Sequence, residues 1–155
     1  MDLEKNLLYR LIDHSSVARL ALITRDNLPD AMPIVLARDN DTLFSPIDGK
    51  PKSSSKLARI RNIQANGNTM LLIDHYSRDW EKLWWLKLVC VSHIVFNPPN
   101  VNFYENILME KYNQYETTEI SYSSTDKTFI IFNIQLVKWW GFSGKDGLKE
   151  WLNHV

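Results

Sequence analysis

The chain has 155 residues, of which 45% are hydrophobic and 23% charged, so it is long enough and apolar enough to fold around a hydrophobic core. Its 18 acidic and 18 basic side chains give a formal net charge of zero, which argues against nucleic acid as the main partner. A single cysteine, Cys90, excludes an internal disulfide framework, and no stretch approaches the roughly 20 apolar residues that span a bilayer. Because the acidic start is not a signal peptide, we expect a cytoplasmic protein with one domain over residues 1–155 and no membrane partner.

The first part of the chain predicts a helix followed by short antiparallel strands. Leucine and isoleucine recur at helical spacing over residues 2–13, which indicates an amphipathic helix. Residues 17–24 alternate as in a strand, with apolar side chains on both faces, so this strand should be central and Arg19 within it buried. A buried arginine needs an anionic partner, either an internal carboxylate or a ligand. Strands at 31–38 and 42–47 follow, and Pro33 indicates an edge or a bulge in the first of them.

The stretch from residue 44 to residue 56 joins the end of a strand to the start of a helix. It turns at Asp48-Gly49, carries Lys50 and Lys52 in the turn, and opens the helix with three serines followed by Lys56. Backbone N–H groups at a helix start attract anions, and serine hydroxyls and lysine ammonium groups add donors and charge. The stretch therefore suits a phosphate group. A serine-capped helix with solvated lysines remains the alternative.

The rest of the chain alternates between helices and strands. Helices are predicted at residues 54–65, 101–112 and 147–153, and strands at residues 69–74, 83–96 and 129–140. The apolar strand at 69–74 is expected to be buried on both faces, and the polar stretch 114–126 is predicted to be a mobile surface connection. Six or seven strands with intervening helices favour an antiparallel barrel whose openings are covered by helices.

Few side chains suggest catalysis by the protein itself. The four histidines have no metal-ligand spacing, and His75, flanked by Asp74 and Tyr76, is the one candidate for proton transfer. Its alternative is a loop histidine bonded to a neighbouring carboxylate. Cys90, in the middle of an apolar strand, is expected to be a small buried hydrophobic residue.

Several motifs resemble a known superfamily over residues 16 to 96. Those in the first third resemble the flavin-binding split-barrel superfamily that includes pyridoxamine 5′-phosphate oxidase: SVARLA at 16–21, MPIV at 32–35 and SPIDGKPK at 45–52. Those that follow resemble the branch of deazaflavin (coenzyme F-420)-dependent enzymes: LARIRNI at 57–63, DHY at 74–76 and DWEKLWW at 79–85. A glycine that is common in the long strand of this family is replaced around Val89-Cys90.

The resemblance implies a fold that is mainly β with helices, a six-stranded antiparallel split β-barrel of the FMN-binding type. It also implies a homodimer with the flavin in a groove at the subunit interface. The expected activity is that of an oxidoreductase that uses FMN, or alternatively deazaflavin, on an unidentified small-molecule substrate. Two alternatives remain: a non-catalytic flavin-binding protein of the same fold, and a haem-handling split barrel, which would need an axial histidine facing the groove.

The resemblance also implies the cofactor-binding residues, but no catalytic residue and no metal ligand. The flavin phosphate should contact basic and hydroxyl side chains after the third strand: Lys50, Lys52 and Ser53, with Arg59 as an addition. The backbone of one strand should run along the ring system and the neighbouring strand should line the same groove: Ser45, Pro46 and Ile47, then Met32, Pro33 and Val35. Trp84 and Trp85 should stack on the ring or fill the dimer seam, with the seam favoured for at least one of them.

Overall fold

The structure, a computed structural model, describes residues 2–47, 54–112 and 127–155, with only the backbone of Ser54 and Ser55. Within these ranges the helices are α1 (Lys5–His14), α2 (Ser54–Ala65), α3 (Val101–Lys111) and α4 (Gly144–Asn153). The strands are β1 (Ala18–Ile23), β2 (Pro29–Ile34), β3 (Ala37–Asp39), β4 (Thr42–Ile47), β5 (Asn68–His75), β6 (Trp84–Phe96) and β7 (Thr128–Gly141). A short 3-10 turn, Trp80–Lys82, precedes β6.

All seven strands belong to one antiparallel sheet in the order β2-β1-β5-β6-β7-β4-β3. The two edge strands, β2 and β3, are consecutive in the chain and are joined only by Val35 and Leu36. Because three Cα steps span at most roughly 11 Å, the two edges of the sheet lie close to each other. The sheet therefore curls on itself, although no hydrogen-bonded ladder joins the described strands β2 and β3.

The predicted fold class is confirmed as mainly β with helices, whereas the six-stranded barrel that the resemblance implies is not confirmed. The single strand predicted at 31–38 is divided into β2 and β3, since the chain leaves the sheet at Val35 and Leu36. The sheet therefore has seven strands, within the six or seven that the sequence indicates, and its hydrogen-bonded ladder is not closed over the described residues. The prediction that Pro33 marks an edge is confirmed, because β2 pairs only with β1 among the described strands.

The inner face of the curled sheet holds the main hydrophobic core. Alternate side chains of the strands turn inward and are fully buried, as are those of α1 that face them: Leu20, Leu71, Leu86, Phe132 and Ile12. Ile60 and Ile63 of α2 and Leu148 of α4 pack against the same cluster, so these two helices cover it as well. Fully burying a side chain of this size contributes about 1.5–3 kcal/mol, so this cluster dominates the stability of the fold.

A second cluster lies on the opposite side of β4 and β7, where α3 packs. Phe44 and Phe129 of these strands are buried with Leu108 of α3, and the ring of Tyr104 lies 4.6 Å from that of Phe44. The chain thus fills both faces of β4. Packing on both faces fixes the end of β4, and the residues at this end, Ser45 to Ile47, line the cavity described below.

No described helix packs on the outer side of β1, β5, residues 84–91 of β6 and residues 133–141 of β7, and we call this surface the open face. Ladder pairing places Ala21, Met70, Val89 and Leu136 side by side in one row across it. Leu136 is 50% exposed. The strand predicted at 69–74 to be buried on both faces is therefore buried on one face only in the isolated chain. A bulge interrupts the β6–β7 ladder between Val89 and Cys90.

Arg19 also lies on the open face, where its guanidinium contacts Asp74 at 2.9 Å. Its side chain is half exposed, so the predicted burial is wrong, and of the two partners that the sequence left open the internal carboxylate is the one observed. Cys90 faces inward and is 1% exposed, as predicted, and burial raises the pKa of its thiol to about 12. None of the helices in the described ranges combines the length and hydropathy that a membrane crossing requires. The predicted mobile connection at 114–126 lies outside the described residues.

Candidate functional site

A cavity of about 330 Å³ opens where the two edges of the curled sheet approach each other. It lies between the ends of β2 and β4, with the start of α2 on one side. Its lining comes from four segments of the chain: Val17, Pro33 to Val35, Ser45 to Ile47, and Lys56 with Arg59. The cavity therefore exists because β2 and β4 end next to each other without pairing.

The chemistry of the cavity is mixed, with apolar walls and one cationic side. Lys56 and Arg59 are three residues apart on α2, so both side chains project from one face of the helix. Ser45 is buried, and Pro33 and Pro46 contribute ring carbons without a backbone N–H. Such a combination fits a ligand that carries an anionic group and an apolar or aromatic body.

The structure brings together six of the residues that the sequence assigned to a flavin site. They come from β2 and the residue that follows it, from β4 and from α2, and all line this cavity: Pro33, Val35, Ser45, Pro46, Ile47 and Arg59. Met32 points instead to the core, against which its side chain is packed. The predicted phosphate contacts Lys50, Lys52 and Ser53 lie outside the described residues, between Ile47 and the helix that carries Arg59.

The two tryptophans of the predicted site are not in this cavity. Trp84 is 2% exposed, and its indole ring lies 5.1 Å from that of Trp151 inside the core, so it presents no face to a flavin ring or to a partner subunit. Trp85 lies on the open face, opposite Trp140 in the β6–β7 ladder. The Nζ atom of Lys87 is 4.6 Å from the centre of the Trp85 ring. Strand alternation alone sends these neighbours to opposite faces.

The resemblance did not assign three further lining residues to the site, although Lys56 belongs to the stretch that the sequence indicated for a phosphate group. Val17 and Ile34 are apolar residues beside strand ends, and no local pattern distinguishes them from ordinary core positions. Lys56 did carry a signal, since it is the third lysine of the stretch 44–56 and lies one helical turn before Arg59. Helical spacing from Arg59 would have placed both cations on one side of α2.

The end of α3 holds two walls of the cavity together. The hydroxyl of Tyr112 donates to the carbonyl oxygen of Ser16 at 2.8 Å and accepts from the N–H of Leu36 at 3.2 Å. The Nζ atom of Lys111 donates to the carbonyl oxygen of Leu36 at 2.5 Å and to that of Ile12 at 3.1 Å. Ser16 precedes Val17 and Leu36 follows Val35, so these two side chains fix the spacing of both walls.

The charge of Lys111, which bonds the backbone of Leu36, depends on pH in the range near neutrality. Burial lowers the pKa of its ammonium group to about 8, with the carboxylate of Asp13 opposing the shift and the guanidinium of Arg38 adding to it. The folded protein then releases this proton at a lower pH than the unfolded chain does, so the unfolded chain binds more protons above pH 8. Stability must rise with pH in this range.

We expect the free energy of unfolding of the wild type to gain about 1 kcal/mol relative to Lys111→Met between about pH 7.5 and pH 9. The difference between the two proteins isolates this term, because the raised pKa of Cys90 acts in the opposite direction in both. Urea unfolding at each pH measures it. A difference that stays constant over this range would contradict the lowered pKa of Lys111.

The proton-transfer candidate His75 does not line this cavity. It lies at the end of β5, where its ring packs 5.0 Å from the ring of Trp151 and borders a different cavity. The predicted role of His75 in proton transfer therefore stays a prediction, which its position at a different cavity does not support.

Comparison with known proteins shows the fold of this chain but finds no relative that is close in sequence. No protein-family model matches the sequence, and a search of curated proteins finds no significant relative. Solved structures do match. One is a candidate pyridoxamine 5′-phosphate oxidase from Listeria innocua (14% identity, TM-score 0.61, covering 90% of this chain and 98% of the other). Another is an F420 reductase (17% identity, TM-score 0.62, covering 83% and 93%).

Two other solved structures widen the range of functions. HutZ, a haem storage protein from Vibrio cholerae, is 13% identical with a TM-score of 0.63, covering 92% of this chain and 99% of the other. A protein of unknown function from Agrobacterium tumefaciens is 17% identical with a TM-score of 0.68 over 94% of this chain, which spans only 60% of its length. The chain therefore has the pyridoxamine 5′-phosphate oxidase-like split-barrel fold. At these identities the likeness establishes the fold alone.

Proposed function

We propose that this protein is a flavin-dependent oxidoreductase, with FMN or deazaflavin held in the cavity between β2 and β4. The observation that carries the proposal is the pair of cations, Lys56 and Arg59, at one side of an otherwise apolar cavity. They would hold the phosphate of the cofactor, together with Lys50, Lys52 and Ser53 from the adjoining stretch. A bound flavin would supply the hydride chemistry, and the protein would bind and orient it.

The size and surroundings of the cavity fit this role. Its volume lies at the lower end of the range for small-molecule sites, about 300–1,000 Å³, and suits part of a flavin nucleotide. Pro33, which lines it, pairs with Arg19 on the open face, so one wall of the cavity borders that face. A ligand longer than the cavity would extend toward the open face.

A homodimer formed through the open face completes this arrangement. Leu136 and Trp140 are 50% and 39% exposed there, beside the half-buried side chains of Met70 and Val89. Exposed apolar side chains on a sheet face mark an interaction site, and here the row of Leu136 is separated from that of Trp140 by Arg19, Lys87 and Lys138. A second copy would cover this surface and close the groove from the other side, in agreement with the dimer that the resemblance implies.

Haem binding is the competing function, because a haem storage protein is among the structures that share the fold. Haem iron is commonly held by an axial histidine or another strong ligand of the protein. Among the described residues that line the cavity there is no histidine, cysteine, methionine or tyrosine. The cationic wall fits the phosphate of a flavin nucleotide.

Titration of the purified protein with FMN, coenzyme F-420 and haem tests the proposal. We expect one of the two flavins to bind with its absorbance shifted, and the bound flavin to be reduced by NADPH. A bound flavin that neither NADPH nor any substrate reduces would leave the non-catalytic flavin-binding alternative. Tight haem binding with no binding of either flavin would overturn the proposal.

A further inference from the structure

A second and larger cavity, of about 530 Å³, lies beside α4, near the end of β5 and the turn that precedes β6. This end of the sheet is far from the end of β4. The cavity is bordered by His75, by Glu81 of the 3-10 turn, and by Glu150 and Trp151 of α4. It shares no lining residue with the cavity between β2 and β4. Its volume falls within the usual range for small-molecule sites.

The apolar wall of this cavity is held firmly in place. The ring of Trp151 lies 5.0 Å from that of His75, 5.1 Å from that of Trp84 and 5.1 Å from that of His14. Aromatic rings packed at these separations restrict one another, so the Trp151 indole is positioned before any ligand arrives.

The facing wall is tied to α4 by hydrogen bonds. The hydroxyl of Ser143, at the start of α4, donates to the carbonyl oxygen of Glu81 at 2.7 Å. The N–H of Phe142 donates to the carbonyl oxygen of Leu83 at 2.9 Å. The cavity is therefore preformed, and a ligand would not have to order its walls.

The charges around this cavity are mainly negative. Asp79, Glu81 and Glu150 border it, against one cation, Lys82, which lies 3.6 Å from Asp79. In the described part of the chain Glu81 has no cationic partner, and Glu150 has only His154, at 3.5 Å, which is charged only when protonated. The face of an indole ring also attracts cations. The flavin-site cavity, with Lys56 and Arg59, has the opposite character.

We propose that this second cavity binds a small organic cation, an amine or quaternary ammonium group carried on an apolar or aromatic body. The apolar body packs against Trp151, and the cationic group lies toward Glu81 and Glu150. This site is independent of flavin binding and goes beyond the function proposed above.

Two probes of equal size and opposite charge test this site: phenethylammonium chloride and sodium phenylacetate. Titrated separately and followed by the indole N–H resonances in two-dimensional NMR, the ammonium probe is expected to shift the Trp151 signal with saturation. The carboxylate probe should leave it unmoved. A Trp151→Phe spectrum assigns the resonance.

The variant Glu81→Gln with Glu150→Gln is expected to weaken phenethylammonium binding by roughly ten-fold, since each exposed carboxylate contributes modestly. Glu110→Gln, an exposed glutamate on α3, is the matched control and should bind like the wild type. The proposal is overturned if neither probe shifts Trp151, if both do so with equal affinity, or if the double variant binds the ammonium probe unchanged. None of these results bears on flavin binding, which the titration above decides separately.

Discussion

Replacing Lys56 and Arg59 together by glutamine is expected to weaken FMN binding about a hundred-fold or more. Each hydrogen bond to a charged group contributes roughly 1.5–3 kcal/mol, and every 1.4 kcal/mol changes the dissociation constant about ten-fold. Both side chains border the cavity and neither belongs to the hydrophobic core, so the variant should still fold and unfold cooperatively. Fluorescence titration with FMN measures the loss.

A comparison with riboflavin separates phosphate recognition from other effects. Riboflavin lacks the phosphate, so the double variant should bind it about as well as the wild type does. Arg61→Gln is the matched control, because Arg61 is an exposed arginine on the same helix that does not line the cavity. Unchanged FMN affinity, or an equal loss for riboflavin, would show that these two cations do not hold the phosphate.

The affinities for FMN and riboflavin should also be compared in the double variant Lys50→Ala with Lys52→Ala. The resemblance assigns these two lysines to the phosphate. A loss of FMN affinity without a loss of riboflavin affinity would extend the phosphate site into this stretch. If this variant binds FMN like the wild type, the sequence-based assignment of Lys50 and Lys52 is wrong, whereas the assignment of Lys56 and Arg59 stands on its own test.

Replacing Leu136 by lysine is expected to convert a homodimer into monomers at micromolar concentration. Leu136 is half exposed at the edge of the row that also contains Ala21, Met70 and Val89. A charge there, repeated on both copies by symmetry, would have to be buried without a partner in the dimer. Light scattering coupled to gel filtration measures the mass.

Flavin affinity should fall with the dimer if the groove lies between two copies. Leu28→Lys is the matched control, because Leu28 is also an exposed leucine but lies in the turn between β1 and β2. A wild type that is monomeric, or a Leu136→Lys variant that stays dimeric, would exclude the open face as the dimer interface. Full FMN affinity in a monomeric variant would place the flavin within one chain.

The sequence by itself determined most of the secondary structure and named six of the nine described residues that line the cavity between β2 and β4. The boundaries of β4 and α2 match the prediction, because the polar turn before residue 42 and the serine-rich helix start are local signals. The stretch that joins them was recognised for its lysines and serines. Those properties depend on residue type and spacing, which are written directly in the chain.

Only the tertiary structure decided which of these residues meet. The break at Val35 and Leu36 depends on Tyr112 and Lys111, whose side chains bond the backbone of Leu36 from about 75 residues away along the chain. Trp84 and Trp85 are adjacent and chemically alike, yet one is buried against Trp151 and the other lies on the open face. Alternation along β6 separates the two tryptophans, but which of them faces the core is set by the pairing of distant strands and the curl of the sheet, for which the local sequence carries no signal.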